Sequence, residues 1–152
     1  MEHGAWSMEH GAWSMEHGAW SGDDEANTHD IERMSLFRFE ELEIWTRAIT
    51  LGGELCVLAE KLDEVKKWRF AEQLRSAALS ISNNIAEGSG SSSTKDFANF
   101  LNIAKRSVFE NANMMFFFSI NSHLPDALTM PLVPKLNELS RMIEAFRQHL
   151  IK

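Results

Sequence analysis

Residues 73–97, QLRSAALSISNNIAEGSGSSSTKDF, decide the fold, because they close one amphipathic helix, make a Gly/Ser turn and cap the next. Leu74, Ala77, Ile81 and Ile85 recur three or four apart and lay one apolar face along a helix read from about residue 65 to 87, with Phe70 extending that face backwards. The face is narrow. Ser76, Ala77, Ala78, Ser80 and Ser82 are small enough to let a neighbouring backbone come close. Gly88 reads as a left-handed helix stop. Ser93 reads as the N-cap of the next helix, with Asp96 three residues on as a short-armed capping box.

Upstream, Phe39, Leu42, Trp45, Ile49, Leu55, Leu58 and Leu62 predict a first helix over 39–62, with Glu40, Glu41 and Glu43 at its positive dipole end. Its Gly52-Gly53 pair costs about 2 kcal/mol in helix propensity, which implies a close helix contact or a kink. Downstream, Phe97, Phe100, Leu101, Ala104, Val108, Ala112 and Met115 continue the third stripe. Pro125, Pro131 and Pro134 confine the next connection, and Leu132, Leu136, Leu139, Ile143, Phe146 and Leu150 form a fourth seam. Long helices joined by short connections predict an all-α, up-down-up-down four-helix bundle over 35–152. Met114, Met115, Phe116, Phe117 and Phe118 point around the whole helix, so some of them must lie outside a single core. Met114, Phe116 and Phe117 are the candidate oligomer interface.

The first 34 residues differ in kind. MEHGAWS occurs three times unchanged, starting at Met1, Met8 and Met15. Eight acids stand there against one base, so the remaining chain carries 14 of each sign and the net charge of −7 belongs to the tail. The glycine in each repeat opposes a helix, and the three histidines have no second shell to orient a metal, so the expectation is a disordered acidic tail. A basic region followed by an apolar core is missing from the N-terminus, and the longest apolar run, 114–118, is far too short to span a bilayer. The expected location is cytoplasmic.

Catalytic patterns are sparse. Cys56 sits among Leu55, Val57 and Leu58 and reads as a small buried apolar residue. There is no Glu-x-x-His pair, Walker loop or nucleophile elbow, and His123 and His149 read as surface residues, so the chain is expected to be neither an enzyme nor a cofactor or metal protein. Basic residues are the better signal: Lys66, Lys67, Arg69 and Arg75 early in the second helix, Lys105 and Arg106 in the third. A patch repeated around an oligomer multiplies phosphate contacts, which makes these six the candidate nucleic-acid-binding residues.

Two segments, LRSAALSISNNIAEGSG at 74–90 and STKDFANFLNIAKRS at 93–107, together with the opening FEELEIW at 39–45, resemble the four-helix-bundle family of the 23S rRNA intervening-sequence proteins. That family includes the accessory variability proteins of diversity-generating retroelements. Asn84, Glu87, Gly88, Ser93 and Lys95 carry the family motif. The resemblance implies a ring-shaped homo-oligomer, a pentamer in the family, with no catalysis of its own. In the retroelement branch it implies an adaptor for a reverse transcriptase and its template RNA. Arg75-Ser76 stands where the family often has two arginines, Ser82 replaces a common proline, and residues 89–92 lack the family's basic residues. Glu87 is expected to need a specific partner, Arg75 or Lys95 of the same or a neighbouring subunit, because a carboxylate near a helix C-terminus is disfavoured by the dipole.

Overall fold

The computed structural model describes residues 35–152 in full and the backbone of residues 5–9 and 12–16. The chain divides into two units at residue 35. In the first, strand β1 (Ala5–Glu9) pairs antiparallel with β2 (Ala12–Glu16), with Trp6 opposite Met15 and Met8 opposite Trp13. A strand pair here departs from the disordered tail expected over 1–34; residues 17–34, with the remainder of the third repeat, lie outside the described residues.

The second unit is all-α. A 3-10 turn, Arg38–Glu41, leads into α1 (Glu43–Glu64), followed by α2 (Trp68–Ser89), α3 (Thr94–Ile120), a single helical turn Asp126–Thr129, and α4 (Leu132–Leu150). Consecutive helices pack on one another, and α1 closes on α4 more sparingly. The predicted first helix thus begins later than its apolar pattern implied. The Phe37 N–H donates to Glu40 Oε1 at 3.0 Å, so the acid satisfies a free donor of the short turn rather than the first turn of α1. Within α1 the buried line is Ile44, Ala48, Leu51, Leu55, Leu58, Ala59 and Leu62, and Ile49 is exposed. Trp45 packs against this core from its edge, whereas at the next turn the small Ala48 faces inward in place of the bulkier Ile49.

The core takes one stripe from each helix. Leu55 and Leu62, Leu74 and Ile81, Leu101 and Met115, and Leu136 and Ile143 are shut off from solvent, each stabilising the fold by about 1.5–3 kcal/mol. Small residues are part of this buried set, with Ala71, Ala77, Ala78 and Ser82 on α2 and Ala98 and Ala104 on α3. Gly88 is the tightest point. A Cβ there would stand 2.6 Å from Phe100 Cβ and 2.8 Å from Phe97 Cδ2, so this glycine lets α3 approach. It is not the left-handed stop expected of it, because α2 runs on to Ser89 and ends on Gly90 in right-handed conformation. Gly52 in α1 likewise faces α2, 4.0 Å from the Ala78 carbonyl when given a Cβ, whereas Gly53 meets nothing. Ser93 caps α3 as expected, accepting from the Asp96 N–H at 3.1 Å.

A polar ladder crosses the same interface. Asn84 Nδ2 donates to the Ser80 carbonyl at 2.7 Å and to Ser80 Oγ at 3.1 Å. Ser80 Oγ meets Ser107 Oγ at 2.9 Å, and Asn111 Nδ2 donates to the Ser107 carbonyl at 2.8 Å. Asn111 is fully buried and its Oδ1 has no partner among the described residues. The motif residue Asn84 therefore braces Ser80, which meets Ser107 across the α2–α3 interface.

Candidate functional site

The turn between α1 and α2 gathers charge at one end of the bundle. Lys67 N–H donates to the Leu62 carbonyl and Lys66 N–H to the Asp63 carbonyl, both at 2.9 Å, with Lys66 at φ 63°. This is the Schellman ending of α1, with lysine at the left-handed position where glycine would avoid a cost of roughly 1 kcal/mol. Lys66 and Lys67 are thus loop residues, not the early α2 residues expected from the pattern. No acid occupies the first turn of α2, and no side chain caps it. The acids just upstream are already engaged: Asp63 with Arg75, and Glu64 with Lys61 at 3.2 Å.

Lys67 Nζ lies 2.6 Å from His123 Nδ1, across from the α3–α4 connection. An ammonium can only donate, so this contact assigns Nδ1 as acceptor and leaves the ring proton on Nε2. The imidazole is half-buried, 5.0 Å from the Phe70 ring and stacked on Phe117 at 5.6 Å and 26°. It is therefore not the plain surface histidine expected; His149 is exposed. Lys66, Lys67, Trp68, Arg69 and Phe70 line a shallow depression of about 380 Å³. Trp68 is 60% exposed, and Lys66 and Arg69 are exposed and make no ion pair among the described residues.

The other basic candidates do not join this patch. Arg75 is held by Asp63, whose hydrogen bond raises its pKa further. Lys105 Nζ binds Glu144 Oε2 at 2.7 Å across α3 and α4, and Arg147 and Gln148 approach the other carboxylate oxygen at 3.2 and 2.7 Å. The hydrogen bond from Lys105, then that from Gln148, lowers the Glu144 pKa to about 2. Lys105 is therefore a clamp between helices. Arg106 beside it is exposed, but position 105 stands roughly 20 Å along α3 from Phe118 at about 1.5 Å per residue, so the two basic groups remain separate within one subunit. Of the motif residues, Glu87 and Lys95 are exposed, and Glu87 makes no ion pair with Arg75 or Lys95; the expected partnership is absent among the described residues.

A second surface is apolar. Phe116 and Phe117 are 45% and 41% exposed, and Phe109 (65%) and Ile120 (77%) extend the same side of α3. Phe109, Ala112, Phe116, Val133 and Pro134 line a groove of about 630 Å³ between α3 and α4. Met114 is corrected: it is buried in the bundle's own core and unavailable to a partner. Trp68 and Phe109 are surface features that the apolar periodicity does not single out. Trp68 was detectable in sequence, as an aromatic inside the basic run KKWRF. Metal-ligating clusters are absent among the described residues, and no helix there is long and apolar enough to cross a membrane.

An antiparallel bundle with a close-packed α2–α3 contact and surface-directed basic and aromatic residues defines a small helical protein without an evident reaction centre. The description "23S rRNA-intervening sequence protein" matches residues 40–145, and the chain belongs to that family. No curated protein matches it.

Proposed function

We propose that the chain is a non-enzymatic homo-oligomeric adaptor that binds a nucleic-acid or protein partner, in the manner of retroelement accessory proteins with a reverse transcriptase and its template RNA. The observation that carries this reading is the exposed aromatic side of α3. Phe109, Phe116, Phe117 and Ile120 together leave an apolar patch in water that association would cover. Ring closure then repeats the basic turn of Lys66, Lys67 and Arg69 once per subunit, and phosphate contacts accumulate with each copy. A second reading, an oligomeric bundle without nucleic-acid binding, is favoured by the engagement of Arg75 and Lys105 in ion pairs within the subunit. Light-scattering mass of the full chain, with and without a structured RNA at low and moderate salt, separates the two. The adaptor gains RNA mass and sheds it as salt rises; an oligomer indifferent to RNA at both salts leaves the second reading.

A further inference from the structure

Resting on the nucleic-acid reading above, we infer that Trp68 is a stacking platform for an unpaired RNA base, with Lys66 and Arg69 holding the flanking phosphates. Tryptophan is costly to leave in water, yet Trp68 is 60% exposed and joins none of the neighbouring ring pairs among Phe70, Phe117, Phe118 and His123. Its two flanks are cationic. Lys66 precedes it in a left-handed backbone position and Arg69 follows it, both exposed. The two nearest acids in sequence are engaged elsewhere, Asp63 by Arg75 and Glu64 by Lys61, which leaves Glu60 and Glu72 as the acids near three cations. The depression lined by Lys66, Lys67, Trp68, Arg69 and Phe70 holds about 380 Å³, room for a base and its sugar-phosphate.

Charge complementarity selects a polyanion, and the exposed indole selects an anion that brings a flat, unstacked ring. Single-stranded RNA supplies both, whereas a duplex hides its base faces. Lys67 is drawn to His123, and Trp68 itself stays 60% exposed. Stacking of this kind tolerates any base, so the site reads strandedness rather than sequence.

The test is fluorescence anisotropy of an unstructured labelled oligoribonucleotide and of a duplex of the same length, titrated with the full chain and its variants over a salt series. The single strand is expected to bind more tightly than the duplex. Trp68→Ala should weaken single-strand binding about tenfold with the salt slope unchanged, and Trp68→Phe should weaken it less. Lys66→Ala with Arg69→Ala should flatten the slope of log K against log salt by about 1.4, roughly 0.7 per phosphate contact. Wild type binding RNA with Trp68→Ala unaffected would overturn the platform and leave the adaptor reading standing. Wild type ignoring both RNAs would overturn the platform together with the nucleic-acid arm of that reading. Loss of oligomer mass in Trp68→Ala would overturn it in favour of an indole buried between copies.

Discussion

The α2–α3 interface and the α1–α4 interface are built in opposite ways. Between α2 and α3 a glycine admits a phenylalanine, and serines meet across the gap. Between α1 and α4 long charged side chains span the seam, Lys135 to Glu54 at 2.7 Å and Arg47 to Glu138 at 3.8 Å, over a hollow of about 330 Å³. Close backbones leave no slack for an added atom, whereas exposed ion pairs trade easily with water. Stability should therefore concentrate in α2–α3, and α1–α4 should tolerate change.

Gly88→Ala is the sharpest way to break that contrast. The new methyl would meet Phe100 Cβ at 2.6 Å, and the expected loss is about 2–3 kcal/mol, read as a lower urea midpoint with unchanged m-value. A Gly88→Ala protein as stable as wild type would show that the interface has room to spare. Ser107→Ala removes the rung to Ser80 and should cost about 1 kcal/mol by thermal melt.

Glu144 bears on a third pairing, α3–α4, through Lys105. Because folding lowers its pKa to about 2, its stabilisation is complete above the ordinary carboxylate pKa near 4.5 and is lost as pH falls from there through about 2. Glu144→Gln should thus lose up to about 1 kcal/mol at pH 7, and its denaturation curve should converge on wild type as the pH approaches 2. A gap that persists at the lowest pH would assign the loss to packing. Lys135→Ala, at the α1–α4 seam, should change stability by no more than about 0.5 kcal/mol, since both partners of its ion pair are substantially exposed.

The same contrast marks what the sequence made legible. Helix number, the Ser93 cap and the α4 seam follow from local spacing, and local spacing survives folding. Gly88 was read as a helix stop because a glycine near a helix end usually is one; only the partner helix reveals that Phe97 and Phe100 claim the missing Cβ. The left-handed Lys66 had no local signal, since lysine is not a residue that announces positive φ. Of the six basic candidates, Arg75 and Lys105 looked alike in sequence with Lys66 and Arg69. Their acids, Asp63 and Glu144, stand 12 and 39 residues away, and only tertiary structure pairs them. Met114 and Phe116 differ by two residues, yet one faces the core and the other solvent, a distinction that an all-apolar run conceals.

The central claim is that the aromatic side of α3 joins copies of the chain. Light-scattering mass of full-length wild type beside a Phe109→Glu, Phe116→Glu double variant tests it most directly. The expected result is a multiple of 17.3 kDa for wild type and a folded single subunit for the variant, with helical content retained by circular dichroism. A wild-type mass of one subunit, or a variant that keeps the wild-type mass, would contradict it.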